Sequence, residues 1–222
     1  IMPDYPILLN IEGRLCVVVG GGPVGRRKAR GLREAGARVR LIDPEPPAGE
    51  DFSGVEVLVR PYRAGDLQGA ALAFAAAGNR EVNAAVAADA RREGIPVNVV
   101  DAPLEGDFRL PALLRRGELT VAVSTGGQSP ALAAVVRDRL AEIFGPEWAT
   151  VLELAGALRQ KRLTLSPVNE YNQAILCQLL NNDLPALIAR NDPAAIDRLL
   201  AALLGEGFSL AELGVHLPKE TT

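Results

Sequence analysis

The sequence contains very little of what most metal centres and nucleophilic sites require. It has one histidine, His216, and two cysteines, Cys16 and Cys177, that lie far apart in the chain. A single histidine near the C-terminus excludes most histidine-based zinc sites and any Ser-His-Asp triad in the body of the chain. Two isolated cysteines exclude a cysteine-rich cluster and a disulfide framework. We therefore expect no metal site, and we expect catalysis to depend on carboxylates, hydroxyls, arginines or a borrowed cofactor.

Long apolar runs and an excess of basic charge are also missing. The apolar stretch 67–79 is too short to cross a bilayer. The N-terminal segment carries Asp4 and Glu12 where a signal peptide has a basic start and an apolar run. The formal net charge of −3 argues against a globally basic nucleic-acid binder. We expect a cytoplasmic protein with reduced thiols that binds neither nucleic acid nor a membrane.

What remains is an ordinary globular composition, with 48% hydrophobic and 23% charged residues over 222 positions, enough for one or two domains. The first hundred residues alternate between short β-branched runs and helical periods. The predicted strands are 15–19, 38–42, 55–60, 71–75 and 96–100, and the predicted helices are 23–35 and 79–93. In the second helix we expect Val82, Ala85, Val86 and Ala90 to face inward. Strands that alternate with helices predict an α/β fold, a Rossmann-type doubly wound parallel sheet.

The character of the sequence changes after Asp101. Two apolar segments, 108–114 and 119–124, flank Arg115-Arg116-Gly117-Glu118 and are compatible with a hairpin. Ser129-Pro130 is a typical helix start, with serine as N-cap and proline at the first helical position. From there to Gly205 the apolar residues recur with helical period. We therefore predict a second, mostly helical region.

A glycine-rich turn follows the first predicted strand and opens the first predicted helix. Gly20, Gly22 and Gly25 fit the pattern G-x-G-x-x-G, with Pro23 and Val24 between the last two glycines. In this pattern the first glycine makes the tight turn, the second admits a pyrophosphate and the third allows close packing of helix on strand. The phosphates bind at the helix N-terminus, where N–H groups and the helix dipole favour anions. The turn therefore predicts a dinucleotide site.

Asp43 lies 18 residues after Gly25, at the end of the second predicted strand. A carboxylate at this position can accept hydrogen bonds from the adenosine ribose hydroxyls and repel a 2′-phosphate, which favours NAD over NADP. The alternative is that Asp43-Pro44 only initiates a turn. Asp101 directly follows the fifth predicted strand, at the edge of the sheet where ligands bind in such folds. It is either a carboxylate that moves protons beside the cofactor or the cap of a loop.

A second polar loop precedes the helix that starts at Pro130. Its backbone donors could hold a carboxylate or phosphate at a helix N-terminus, although a simple turn before a capped helix has the same sequence. Arginines near these loops would suit a small polyanionic ligand, since the guanidinium binds carboxylates in a bidentate manner, although each could also be a solvated surface charge. The candidate residues in these groups are Ser124, Thr125, Gly126, Gly127 and Ser129 in the loop, and Arg26, Arg27, Arg109, Arg115 and Arg116 among the arginines.

Taken together, these motifs resemble a known family. The run VVVGGGPVGRRKARGLREAGARVRLI, the segment VNVVDAP and the stretch FRLPALLRRGELTVAVSTGGQSPALAAVVRDRL look like precorrin-2 dehydrogenase, the NAD-dependent domain of siroheme synthase. The resemblance covers roughly residues 5–163, with the motifs in the order of the family. Two positions depart from the family: Thr125 stands where some relatives have serine, and 76–79 replaces a frequent threonine-aspartate pair.

The resemblance implies an NAD-binding Rossmann domain over 1–113, a dimerisation segment over 114–144 and a helical C-terminal domain over 145–222, in a homodimer. It implies oxidation of precorrin-2, an acidic tetrapyrrole, to sirohydrochlorin, with hydride transfer to NAD. Asp101 matches the aspartate implicated in catalysis in the family. The resemblance implies substrate binding by Arg109, Arg116 and the 124–129 loop. It implies cofactor binding by Gly20, Gly22, Pro23, Val24, Gly25 and Asp43. Two alternatives stay open: an enzyme that also inserts ferrous iron into sirohydrochlorin, and a non-catalytic NAD-sensing module.

Overall fold

A computed structural model of the chain describes residues 4–47, 52–165 and 171–218. The chain divides into two compact units, formed by the described residues within 1–110 and within 111–222. The first contains a parallel five-stranded sheet with one helix on each face. Its elements are β1 Leu15–Val19, α1 Pro23–Glu34, β2 Arg38–Asp43, β3 Val55–Val59, β4 Leu72–Ala75, α2 Arg80–Glu93 and β5 Val97–Val99. A 3-10 turn over Pro103–Glu105 follows β5.

The strand order is β3-β2-β1-β4-β5 with every pair parallel, so the direction of winding reverses between β1 and β4. Alternate residues of β1 explain why both faces are covered. Cys16 and Val18 pack with Ala29 and Leu32 of α1, whereas Val17 and Val19 pack on the opposite face. In an open α/β sheet of this kind, ligands bind outside the carboxyl ends of the strands at the reversal point.

The predicted inner face of α2 is wrong only at Ala85, which is exposed. Val86 and Ala90 are buried and Val82 packs on the core as predicted, and Asn83 and Ala87 are buried as well. The face is rotated toward Asn83 because the amide of this residue finds hydrogen-bond partners inside the unit. Helical period alone could not indicate this, since an asparagine normally counts as a polar, outward residue.

The second unit starts with an antiparallel hairpin and continues as helices. The hairpin consists of β6 Ala112–Arg116 and β7 Leu119–Val123. Its turn is shorter than the sequence pattern indicated, because Arg115 and Arg116 are part of β6 and Gly117 adopts a left-handed conformation at φ +55°. The helices are α3 Pro130–Ile143, α4 Trp148–Leu165, α5 Tyr171–Asn181, α6 Leu184–Ala189, α7 Pro193–Leu204 and α8 Leu210–Leu213.

The helices of the second unit share one apolar core. Leu154 of α4, Leu179 of α5, Leu184 of α6, Ile196 of α7 and Leu210 of α8 are all buried in it. Helix α3 differs, because within it only Ala133 is buried, and the helix packs against the hairpin. The boundaries 113/114 and 144/145 implied by the family resemblance stay predictions.

Candidate functional site

The glycine-rich loop after β1 is held so tightly that two of its positions admit only glycine. Gly20 has φ +107°, and a Cβ there would lie 2.3 Å from the carbonyl oxygen of Ala76. A Cβ on Gly25 would lie 1.9 Å from the carbonyl oxygen of Gly20. Gly22 is different, since a Cβ there would have no heavy atom within 4 Å. The loop is therefore packed closely on the protein at Gly20 and Gly25 and open at Gly22.

The N-terminus of α1 opens onto the same space. Gly22 is the N-cap residue, and it provides no side-chain hydrogen bond to the first turn. Pro23 occupies the first helical position and no acidic residue lies in the first turn. An uncapped helix N-terminus presents backbone N–H groups and the positive end of the dipole, which together favour a phosphate. The predicted cofactor residues Gly20 to Gly25 thus form a cradle that fits the pyrophosphate of a dinucleotide.

Asp43 is the last residue of β2 and contacts this loop directly. Its Oδ2 accepts a hydrogen bond from the backbone N–H of Gly21 at 2.5 Å, and its Oδ1 accepts one from Glu45 N–H at 2.7 Å. The second bond makes the predicted turn, and the first joins the carboxylate to the glycine loop. The binding of ribose hydroxyls by Asp43 stays a prediction. A carboxylate has about four acceptor positions. Asp43 can therefore accept further donors, such as ribose hydroxyls.

Asp101 lies two residues after β5, at the same carboxyl edge of the sheet, and its side chain is 35% exposed. Its Oδ1 accepts a hydrogen bond from Asn83 Nδ2 at 2.9 Å, and its Oδ2 lies 3.8 Å from Arg80 Nε. Arg80 also forms an ion pair with Glu105. The hydrogen bond to Glu105 raises the pKa of Arg80, and the charges of Glu105 and Asp101 raise it further. Asp101 is therefore held by one short bond and one longer ionic contact.

Asn83 is the residue that sequence reasoning missed. Its side chain is 1% exposed, and it hydrogen-bonds the backbone of Ala77 in both directions, from Ala77 N–H to Oδ1 at 2.9 Å and from Nδ2 to the carbonyl at 3.0 Å. The same stretch of backbone after β4 touches Gly20. Contacts therefore run from Asp101 through Asn83 and Ala77 to the glycine loop. An asparagine among the apolar positions of α2 was the available signal.

The predicted substrate loop of the second unit is a compact turn before α3. Thr125 Oγ1 donates to the carbonyl of Ser129 at 3.0 Å and accepts from Ser129 N–H at 3.2 Å. Ser124 Oγ accepts from Gly126 N–H, and Ser129 Oγ caps α3 by accepting from Leu132 N–H. Gly126 and Gly127 both have positive φ, which explains the glycine pair. The hydroxyl of Thr125 is used to close the turn.

Two of the arginines predicted to bind substrate have partners within their own units. Arg109 forms an ion pair with Asp4 at 2.6 Å. Arg116 Nε donates to the carbonyl of Phe144 at 2.8 Å, just after the end of α3. Both guanidiniums have further N–H donors, since each guanidinium carries five. Their role toward a substrate stays a prediction.

The described residues (4–47, 52–165 and 171–218) contain no group of three or more His, Cys, Asp or Glu side chains with the arrangement of a metal site. In the same ranges, no helix combines the length and the apolar character that a membrane crossing requires.

Comparison with protein families gives two matches in chain order. An NAD(P)-binding family matches residues 7–112, and a family described as the central part of sirohaem biosynthesis proteins matches residues 116–143. The first match covers the glycine loop, Asp43 and Asp101. It confirms that the first unit is a domain for a nicotinamide dinucleotide, as the glycine-rich turn predicted.

Curated relatives agree with these families. A siroheme synthase from Pseudomonas aeruginosa strain PAO1 is 36% identical over 212 residues, covering 94% of this chain and 46% of the relative. A siroheme synthase from Nitrosomonas europaea is 39% identical over 210 residues, covering 90% of this chain and 44% of the relative. The chain therefore spans about half the length of the curated relatives that it matches.

A solved structure resembles most of the chain. The protein described as SirC, precorrin-2 dehydrogenase, superposes with a TM-score of 0.67 at 22% identity, covering 82% of this chain and 92% of that one. At this identity the likeness concerns the fold, and it confirms the predicted Rossmann-type α/β architecture.

Proposed function

We propose that this chain, which matches siroheme synthases over about half of their length, oxidises precorrin-2 to sirohydrochlorin with NAD as the hydride acceptor. The observation that carries the proposal is the chain of contacts at the carboxyl edge of the sheet. Asp101 reaches the dinucleotide cradle through only two residues, Asn83 and Ala77. A proton acceptor beside a hydride acceptor is what this oxidation requires.

The reaction removes two hydrogens from the tetrapyrrole, one as a hydride and one as a proton. NAD, when bound, supplies the acceptor for the hydride and leaves as NADH. The proton needs a base within hydrogen-bond reach of the substrate or of one bridging water. Asp101 is the candidate for this base, because its carboxylate is partly exposed at the edge where the cofactor cradle opens. Asp101 then gives the proton to solvent.

Precorrin-2 carries several acetate and propionate groups, so its binding requires donors that recognise carboxylates. Arg109, Arg116 and the Ser124–Ser129 turn are the proposed donors. The ion pair of Arg109 with Asp4 is exposed, and exposed pairs contribute only about 0–1 kcal/mol. A substrate carboxylate can therefore replace Asp4 at little energetic cost.

The direct test is an anaerobic assay of the purified chain with precorrin-2 and NAD. We expect NADH and sirohydrochlorin to form in equal amounts, at a rate proportional to the protein concentration. Formation no faster than in the absence of protein would contradict the proposed function. Persistent binding of NAD without turnover would favour the non-catalytic NAD-sensing alternative.

Asp43 gives a prediction about cofactor choice. We expect kcat/KM to be at least tenfold higher with NAD than with NADP, since the carboxylate accepts the ribose hydroxyls and repels a 2′-phosphate. The variant Asp43→Asn should narrow this preference by about tenfold. Glu45→Gln is the matched control. It also removes one negative charge, but from an exposed side chain that lies two residues after Asp43. A wild-type enzyme that prefers NADP would contradict the assignment.

We further infer that the chain forms a homodimer through the segment 114–144. Apolar side chains on α3 are exposed, and such a surface favours association. They are Leu132, Val135, Val136 and Ile143.

The dimer can be tested by charge insertion on α3. Val135 is 55% exposed, and we expect Val135→Glu to raise the dimer dissociation constant at least tenfold, because a buried unpaired carboxylate destabilises an interface. Val59→Glu is the control, since Val59 is 66% exposed in the first unit, on the edge strand β3. Analytical ultracentrifugation measures both variants. A monomeric wild type, or equal effects of the two changes, would contradict this interface.

We also infer that the protein acts in the cytoplasm. Cys16 and Cys177 are both free, the first buried and the second exposed, in agreement with a reducing compartment.

A further inference from the structure

We propose that Asn83 is a positioning residue that holds the Asp101 carboxylate in its reactive orientation. This inference rests on the function proposed above, because it concerns the same carboxylate. It starts from an observation on α2: Asn83 is 1% exposed, and its side chain bonds the two loops that follow β4 and β5. Buried polar groups are normally hydrogen-bonded, and the three hydrogen bonds of this amide fix the position of its side chain.

The orientation of the amide is fixed by the backbone of Ala77. The N–H of Ala77 requires an acceptor, so Asn83 must direct Oδ1 toward it, and the distance is 2.9 Å. The NH2 group then points the other way. One of its hydrogens is donated to the Ala77 carbonyl at 3.0 Å and the other to Asp101 Oδ1 at 2.9 Å. A flipped amide would set its oxygen against the carboxylate and against the Ala77 carbonyl. Asn83 therefore always presents a donor to Asp101.

Asp101 has no equally close alternative among its described contacts. Its other oxygen lies 3.8 Å from Arg80 Nε, which is beyond hydrogen-bond distance. Arg80 is also engaged by Glu105 through a charge-assisted hydrogen bond. Without Asn83, the carboxylate can turn about its side-chain torsions toward Arg80. The proton-accepting oxygen would then leave the position that faces the substrate, and catalysis is sensitive to displacements of this size.

The variant Asn83→Ala removes the donor, and Asp89→Ala is the matched control. Asp89 is a buried polar residue of the same helix, 9% exposed, and it accepts a hydrogen bond from Tyr62 at 2.8 Å, away from Asp101. Asp89 also pairs with Arg92 at 2.8 Å. Both changes remove a buried polar side chain from α2, so we expect both to lower Tm. Only Asn83→Ala should lower kcat, by at least tenfold, with the dissociation constant for NAD changed less than threefold. Asn83→Leu, which also removes the donor but fills the space of the amide, replaces Asn83→Ala if the latter does not fold, with the same expected loss of kcat.

A double-mutant cycle separates positioning from general destabilisation. If Asn83 acts through Asp101, adding Asn83→Ala to Asp101→Ala should lower the residual kcat less than twofold. The same factor in both backgrounds would overturn the proposal. An unchanged kcat in Asn83→Ala would also overturn it. So would a fall in kcat with an equal loss of NAD affinity, because Asn83 would then act through the backbone of Ala77 and not through Asp101.

A measurement without turnover keeps this inference distinct from the proposed function. The carboxyl carbon resonance of Asp101, followed by 13C NMR, should shift in Asn83→Ala and stay unchanged in Asp89→Ala. Absence of precorrin-2 oxidation by the wild type would overturn the proposed function alone. Absence of a shift in Asn83→Ala would overturn the role of Asn83 whatever the reaction.

Discussion

Replacing Asp101 by alanine is expected to lower the kcat of precorrin-2 oxidation by about 10²- to 10⁴-fold, the usual contribution of a positioned general base. The expectation follows from where the carboxylate lies. It follows β5 at the edge where the glycine loop opens, and it is 35% exposed, so a substrate can reach it. The variant Asp101→Asn should lose activity to a similar extent, because an amide of the same shape cannot accept the proton.

Two measurements distinguish loss of chemistry from loss of structure. The NAD dissociation constant of both Asp101 variants should stay within threefold of wild type, since Asp101 is separated from the cradle by Asn83 and Ala77. The control is Glu81→Ala, which removes an exposed carboxylate from the first turn of α2. It should leave kcat within twofold of wild type. Oxidation of precorrin-2 by Asp101→Ala at the wild-type rate would show that another group accepts the proton.

The elements around the cofactor cradle could be predicted because their signals are local. A continuous apolar run gives β1 with the bounds 15–19 that the structure has, and Pro23 begins α1 as predicted. The carboxyl end of β2 falls at Asp43, as chain order predicted, whereas the hydrogen bond of Asp43 to Gly21 was not predicted. Family comparison confirmed the dinucleotide domain that this pattern predicted.

The surroundings of Asp101 could not be predicted in the same way, because they depend on contacts between distant segments. Asn83 contacts Asp101 across 18 residues, and Arg80 reaches Glu105 across 25. Helical period assigned Ala85 to the inner face of α2, where the structure buries Asn83 instead. A buried asparagine is stable only if its partners are already in place. Those partners are backbone groups of Ala77, which carry no sequence signal of their own.

Adding one methyl group to Gly25 is expected to abolish measurable NAD binding and to lower the free energy of unfolding by about 2–3 kcal/mol. The Cβ would lie 1.9 Å from the carbonyl oxygen of Gly20, which is backbone and cannot rotate away. Gly20 cannot move away either, because the backbone of Ala76 and Ala77 is packed against it so closely that a Cβ on Gly20 would not fit. Helix α1 must therefore move away from β1, at the upper end of the usual overpacking cost of about 1–3 kcal/mol.

Two other glycines make this prediction specific. Gly22→Ala should leave the free energy of unfolding within about 0.5 kcal/mol of wild type, because nothing lies within 4 Å of the added Cβ and the φ of −64° suits alanine. It should nevertheless raise the NAD dissociation constant at least tenfold, since the methyl group would occupy the space of the pyrophosphate. Gly31→Ala, in the middle of α1 with equally open surroundings, should stabilise the protein by about 1 kcal/mol and leave NAD binding unchanged.

Calorimetric titration with NAD and denaturant unfolding of the three variants measure both quantities. The three variants together locate the cofactor. Gly25→Ala is expected to weaken both NAD binding and stability, Gly22→Ala to weaken NAD binding alone, and Gly31→Ala to leave NAD binding unchanged. Wild-type NAD affinity in Gly22→Ala would mean that the pyrophosphate does not approach the backbone at this position. Wild-type stability in Gly25→Ala would mean that α1 packs less closely on the loop than its contact with Gly20 indicates. Loss of NAD binding in Gly22→Ala without loss of stability is the result expected if the phosphates lie over the N-terminus of α1.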